Sequence, residues 1–330
     1  MENYIDLTDI EDLQELIKEA LQLKKENSAA KLGKGKTLGM LFFNPSLRTR
    51  LSTEKAARLL GMDVMVMNAG TDGWALEFED GAVMNSDKAE HIKEAAAVLS
   101  QYCDIIAVRA FPGLKDRDKD EMELVMNSFK KYASVPLINL ESATGHPLQG
   151  LTDGLTITEL KSTKKPKVVL TWAPHPKALP QSVPNSFVEF MQKLDVDLVI
   201  TNPEGYDLNP AITKDTPVIH DQEMALKNAD FVYVKNWSSY QTYGTILNTN
   251  PSWTFGAKKL GLTNNAKVMH CLPVRRNVVI DDEVLDSENS IVIHQANNRT
   301  FAAQAVLTRL LSPPTPEGGV EKEFPVQEKE

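Results

Sequence analysis

TLGMLFFNPSLRTRLSTEKAARLLG, residues 37–61, holds the decision about the fold. Thr37 to Phe43 is a short apolar run bounded by turn residues, which predicts a buried strand. Asn44-Pro45-Ser46 breaks that run and carries the residue types that open helices. Thr49 to Leu60 has helical spacing, and Gly61 stops it. A buried strand handing over directly to a helix is the unit of a parallel sheet covered by helices.

The same unit repeats outward in both directions. Upstream, residues 9–25 (DIEDLQELIKEALQLKK) place Leu13, Leu16, Ile17, Ala20 and Leu21 on one helical face, with Thr8 or Asp9 as the expected cap. Downstream, strands are expected at Asp63–Met67, Ile105–Val108 and Pro136–Leu140, with helices at His91–Ser100 and Met122–Tyr132. The alternation restarts after Lys164-Lys165-Pro166. Strands are expected at Lys167–Thr171, Leu198–Thr201, Phe231–Val234, Val268–Cys271 and Ile291–His294, and helices at Asn185–Leu194 and Arg299–Leu311. The expected fold is α/β, with two doubly wound parallel-sheet domains, 1–150 and 151–298. The segment 312–330 (SPPTPEGGVEKEFPVQEKE) is rich in Pro, Gly and Glu, and is expected to be an extended or mobile tail.

Bulk properties narrow the function. A chain of 330 residues with 42% hydrophobic and 25% charged residues has the balance of an ordinary globular protein. Its net charge of −9 argues against a general nucleic-acid binder. Cys103 and Cys271 are too few for a disulfide framework. No apolar run has the length of a membrane span, and the acidic N-terminus MENYIDLTDI lacks a signal-peptide core. A cytoplasmic protein is expected, with neither nucleic acid nor membrane as a partner.

Three segments at strand ends carry candidate chemistry. Ser46-Leu47-Arg48-Thr49-Arg50 lies at a helix start, where backbone N–H groups and the helix dipole favour an anion. Ser46 and Thr49 add hydroxyls, and Arg48 adds a fork for phosphate oxygens. The plainer reading is a capped helix with both arginines in solvent. His146 and Gln149, in Ser142–Gln149, can polarise a carbonyl, although a loop histidine is often only structural. In His270-Cys271-Leu272-Pro273-Val274-Arg275-Arg276, Cys271 is either a nucleophile or a small buried thiol. His175, His220 and His294 lack metal-site spacing around it, so no metal is expected. Neither GxGxxG nor a Walker motif is present, so nucleotide binding has no support.

Taken in order, these segments resemble the aspartate/ornithine transcarbamylase family over roughly residues 5–310. Ser46–Arg50 is similar to the family's Ser-x-Arg-Thr-Arg carbamoyl-phosphate motif, with Leu47 where Thr is commoner. His146-Pro147-Leu148-Gln149 is similar to its His-Pro-x-Gln, and His270-Cys271-Leu272-Pro273 to its ornithine side. Ornithine enzymes usually follow the strand at Phe231–Val234 with Ser-Met-Gly. This chain has Lys235-Asn236-Trp237, which resembles the N-acylornithine branch, as do Asp72-Gly73-Trp74 and the Cys271–Arg276 run.

The resemblance implies two domains joined by interdomain helices, with 1–150 binding carbamoyl phosphate and the C-terminal helix packing back on it. The cleft then binds an N-acylornithine for arginine biosynthesis, without a cofactor, in a homotrimer with shared sites. Ser46, Leu47, Arg48 and Thr49 are expected to hold the phosphate. Arg109 would bridge phosphate and carbonyl, and Arg48, Thr49 and His146 would polarise the carbonyl. Gln149 with Cys271 and Leu272 would receive the carbamoyl NH₂, and Arg299 would complete the pocket. Cys271 is also expected to orient the attacking amine. Glu141, His175, Lys235 and Arg275 are expected at the acylornithine, and Trp74 from a neighbouring subunit. Glu90 is expected to read the acyl group: a Glu there accompanies acetyl enzymes and a Pro succinyl enzymes, so Glu90 departs from an otherwise succinyl-like background. The alternatives are preference for N-succinyl-L-ornithine, a plain ornithine enzyme, or a non-catalytic anion-binding protein on the same fold.

Overall fold

The computed structural model describes residues 1–26, 31–247 and 250–312. The expected tail at 312–330 therefore lies outside the described residues, apart from Ser312. In chain order the first half runs α1 (Leu13–Glu26), β1 (Thr37–Phe42), α2 (Arg48–Leu59), β2 (Asp63–Asn68), β3 (Leu76–Glu77), β4 (Glu90–His91), α3 (Ile92–Tyr102), β5 (Ile105–Arg109), α4 (Arg117–Glu121), α5 (Leu124–Tyr132), β6 (Leu137–Glu141) and α6 (Pro147–Leu160). The second half runs β7 (Lys167–Trp172), α7 (Ser182–Met191), β8 (Asp197–Thr201), α8 (Pro210–Thr213), β9 (Val218–Ile219), α9 (Gln222–Leu226), β10 (Phe231–Lys235), α10 (Ala257–Leu260), β11 (Lys267–Met269), α11 (Asp282–Leu285) and α12 (Val292–Leu311).

Two main sheets form, ordered β2-β1-β5-β6 and β11-β10-β7-β8-β9, and their pairings are parallel. In each, strand order reverses beside the first strand, between β1 and β5 and between β7 and β10. Loops leaving the carboxyl ends of such neighbours diverge and open a crevice where open α/β sheets bind ligands. Arg48 and Arg109 follow or end the first pair, and His175 and Lys235 the second. One apolar core joins the halves through α1, α6 and α12, with Ile17, Leu151, Phe190 and Val306 among its buried members. Gly150 makes this junction possible: a Cβ there would lie 2.5 Å from the Phe190 ring of α7.

Two sequence expectations are corrected. The first helix starts at Leu13, and Asp12, not Thr8 or Asp9, accepts from Glu15 N at 3.0 Å. Asp6 and Asp9 instead cap a 3-10 turn, Leu7–Asp9. Ile291–His294 is not a strand: α12 begins at Val292 rather than near Arg299. Only Ser290 bridges Val268 of β11. Ile291 and Val292 are buried while Ile293 is 74% exposed, and burial resumes at Gln295, Asn298 and Arg299 with helical spacing. A β-branched triplet imitates a strand locally, but packing of α12 on α2 and α6 decides its state.

Candidate active site

A cavity of about 870 Å³ opens between the two sheets. All but two of the expected site residues line it: Ser46, Leu47, Arg48, Thr49, Arg109, Glu141, His146, Gln149, His175, Lys235, Cys271, Leu272, Arg275 and Arg299. The exceptions are Trp74 and Glu90. Trp74 is 59% exposed, and its indole N–H donates to Glu90 Oε2 at 2.7 Å. Phe42, Phe111, Leu179, Pro180, Val183 and Val279 add apolar wall that the motifs did not signal.

The first wall is the opening turn of α2. Leu47 in the N-cap position makes no side-chain cap bond, and Ser46 Oγ accepts from Thr49 N at 3.3 Å. The first turn is thus formed while the helix end stays open to an anion. Burial lowers the Arg48 pKa, and its buried Nε has no hydrogen-bond partner among the described residues. Arg299 on α12 ties this turn to α6. Its Nη2 donates to Thr49 Oγ1 and its Nη1 to Gln149 Oε1, both at 2.6 Å, and Nη2 lies 3.5 Å from His146 Nε2.

At the end of β5 and β6 the ladder shifts register, so Val108 faces Asn139 but Arg109 faces Glu141. That irregularity joins the Arg109 guanidinium and the Glu141 carboxylate in a buried ion pair. Ser182 Oγ donates to the other Glu141 oxygen at 2.8 Å, and Arg109 stacks over Phe111 at 4.3 Å. His146 precedes Pro147, which opens α6, and its N–H donates to Ser186 Oγ at 2.8 Å.

In the second half, Trp237 is a core anchor. Its indole donates to Tyr206 O at 2.7 Å, and its own carbonyl accepts from Trp172 Nε1 at 2.9 Å. Asn236 Nδ2 donates to Ala173 O at 2.6 Å, and Lys235 Nζ to Asn236 O at 2.8 Å. Arg275 Nε donates to His175 Nε2 at 3.0 Å, and His175 Nδ1 lies 2.9 Å from Lys177 O and 3.1 Å from Lys177 N.

Arg48, Arg50, Arg109, Lys235, Arg275 and Arg299 face the cavity with one carboxylate, Glu141. In a chain of net charge −9, this is a local reversal of sign. Burial first, then Arg299 and Arg109, hold His146 well below its ordinary pKa, and burial with Lys235 and Arg48 does the same to His270. Burial also raises the Cys271 pKa, so the thiol stays protonated. The arrangement suits a dianionic group at the α2 turn, a polarised carbonyl near neutral His146, and a second anion near Lys235 and Arg275. Among the described residues no group of His, Cys, Asp and Glu could hold a metal ion, and no helix is long and apolar enough to cross a membrane.

Fold and cleft together define a two-domain α/β protein with a cationic, anion-suited cleft between its parallel sheets. Residues 3–159 match the profile of the aspartate/ornithine carbamoyltransferase carbamoyl-P binding domain, and residues 180–310 that of the Asp/Orn binding domain. The chain belongs to the aspartate/ornithine carbamoyltransferase family and is a carbamoyltransferase. It is 49% identical to an N-succinylornithine carbamoyltransferase of Bacteroides thetaiotaomicron, covering 94% of this chain and 99% of that one. It is 39% identical to an N-acetylornithine carbamoyltransferase of Xylella fastidiosa, covering 87% and 92%. Among solved structures, acetylornithine transcarbamylase complexed with acetylcitrulline matches with a TM-score of 0.88 at 35% identity, over 95% of this chain and 100% of that one. An N-acetyl-L-ornithine transcarbamylase variant with a glutamate replaced by alanine, complexed with carbamyl phosphate and N-succinyl-L-norvaline, has the same TM-score at 37% identity, over 94% and 100%.

Proposed function

We propose that this enzyme carries the carbamoyl group of carbamoyl phosphate to the δ-amine of an N-acyl-L-ornithine, with N-acetyl-L-ornithine preferred. The observation that carries the reading is that Arg299 joins Thr49, Gln149 and His146 in the wall of one cleft that Arg48, Lys235 and Arg275 also line. Ser46, Leu47, Arg48 and Thr49 take the phosphate, in the portion up to about residue 150, and the acylornithine lies against 151–298. The α-carboxylate meets Lys235 and Arg275.

The neutral amine attacks the carbamoyl carbon, the carbonyl electrons move onto oxygen, and the tetrahedral intermediate collapses as the C–O bond to phosphate breaks. The departing phosphate takes the proton that the amine loses. Arg48, Thr49 and neutral His146 stabilise the oxyanion, and Arg109 bridges it to the departing phosphate. Cys271 and Leu272 lie beside the carbamoyl NH₂. Holding both substrates in one cleft removes much of the entropic barrier.

Trp74 and Glu90 act on a neighbouring copy's cleft. Leu47 is 67% exposed, and Leu51, Met65 and Met67 are exposed around the edge strand β2, which supports an interface on this side and a homotrimer with shared sites. The 49% identity to an N-succinylornithine enzyme favours succinyl preference as the second reading. A ureido-product assay with ornithine, N-acetyl-L-ornithine and N-succinyl-L-ornithine separates these. Citrulline formation from ornithine alone refutes the acylornithine reading, and no ureido product from any of them refutes the enzyme's proposed chemistry.

A further inference from the structure

Asp153 is fully buried on α6, one helical turn beyond Gln149, and does not line the cleft. Its Oδ1 accepts two hydrogen bonds, from Gln149 Nε2 at 2.7 Å and from Gln295 Nε2 of α12 at 2.7 Å. A carbonyl-type oxygen only accepts, so each glutamine must turn its NH₂ toward Asp153 and its carbonyl away. Gln149 Oε1 then accepts from Arg299 Nη1, and Gln295 Oε1 accepts from His270 N at 2.9 Å, beside Cys271. A glutamine amide has nearly the same shape when flipped. Asp153 and Arg299 thus fix the two ends of the Gln149 amide together: without Asp153 the buried NH₂ loses its acceptor, and the amide has reason to turn out of this position.

We propose that Asp153 is a positioning residue: one buried oxygen sets the polarity of Gln149 and Gln295, so that Gln149 offers the substrate's carbamoyl NH₂ an acceptor. The carbonyl of Gln149 has two lone pairs, one taken by Arg299 and one left for that NH₂. This inference rests on the carbamoyl-transfer reading above. Asp153 Oδ2 makes no hydrogen bond of good geometry among the described residues, and the buried Tyr233 hydroxyl of β10, itself without a partner there, lies beside the carboxyl. Burial pushes the carboxyl up to about 7, and a proton on Oδ2 leaves Oδ1 free to accept. Asparagine with its NH₂ in the Oδ2 position would keep both bonds.

The test compares the intact wild-type chain with Asp153→Asn, Asp153→Ala and Asp153→Leu. The measurements are kcat and KM with carbamoyl phosphate and N-acetyl-L-ornithine, the Kd for inorganic phosphate by calorimetry, and thermal melting. The alanine and leucine variants should lose about tenfold or more in kcat, and asparagine should stay within about threefold of wild type. The phosphate Kd should move by less than about twofold in all of them, because Asp153 reaches the α2 turn only through Gln149 and Arg299, and Arg299 keeps its own bond to Thr49. A folded alanine or leucine variant with wild-type kcat overturns the proposal. So does an asparagine variant impaired by about tenfold, which decides the matter even where the acceptor-free variants do not fold. A phosphate Kd that weakens in step with kcat also overturns it, since that marks general collapse of the site. Loss of transfer in the wild type itself sinks the functional reading and this inference together, whereas an active wild type isolates the role of Asp153.

Discussion

Removing the charge at Glu90 should move acyl preference from acetyl toward succinyl. Glu90 pairs with Leu76 in the short β3–β4 ladder, and its carboxylate accepts from the Trp74 indole at 2.7 Å. A succinyl tail ends in a carboxylate, and an acetyl group is neutral. At a separation of about 5 Å and an effective dielectric near 20, two like charges repel by about 3 kcal/mol. That corresponds to roughly a hundredfold in binding. Glu90 is half-exposed, so water lowers the repulsion toward about 1 kcal/mol, or roughly fivefold. Glu90→Gln keeps an oxygen for the Trp74 N–H and isolates the charge. Glu90→Pro removes that acceptor and a backbone N–H as well. The assay is kcat/KM for N-acetyl-L-ornithine and N-succinyl-L-ornithine at saturating carbamoyl phosphate, at low and high salt. The succinyl-to-acetyl ratio should rise by about five- to a hundredfold in both variants, and the wild-type discrimination should shrink at high salt. A wild type that prefers the succinyl substrate by about tenfold or more, or a Glu90→Gln variant with an unchanged ratio, refutes the reasoning.

Three other outcomes are expected. Arg48→Ala should weaken phosphate binding by about 1.5–3 kcal/mol in calorimetry, with a larger loss in kcat because charge develops in the transition state; near wild-type turnover by the folded variant contradicts the assignment. Mixing inactive Trp74→Ala chains with inactive Arg48→Ala chains should restore activity after subunit exchange, and a fully active monomer in sedimentation rules out the shared site. In denaturant melts, Asp153→Asn should gain stability relative to wild type as pH rises from about 4 to about 7, by at most about 1.4 kcal/mol per unit. The Asp153 carboxyl is raised in the folded state, so its contribution is full below the unfolded value of 3.8 and is lost as pH climbs through about 7. His146 and His270 act in the opposite sense. Their folded values lie well below 6.5, so their contribution is present above 6.5 and is lost on acidification in both proteins.

Much of the candidate site was legible because its polar residues sit beside local punctuation. Ser46–Arg50 follows a buried strand, and His146 sits directly before the proline that opens α6. Asp153 carried a weaker signal, an acceptor four residues after Gln149 on the same helix, and that spacing alone does not say that Gln295 closes the network from α12. Ser182 gave no local sign at all; it meets Glu141 only because α7 packs across the end of β6.

Hydrophobic period, turn residues and motif order are local properties, so the chain by itself determined the two runs of alternating strand and helix and pointed to the segments that line the cleft. Tertiary structure decided what local pattern leaves degenerate. Ile291-Val292-Ile293 reads as a strand until packing on α2 and α6 makes it the first turn of a long helix. Arg109 and Glu141 become a pair only through a register shift between two strands. Arg299 reaches Thr49 and Gln149 because α12 returns across a core shared by both halves, and it is this contact between distant segments that turns separate motifs into one cleft.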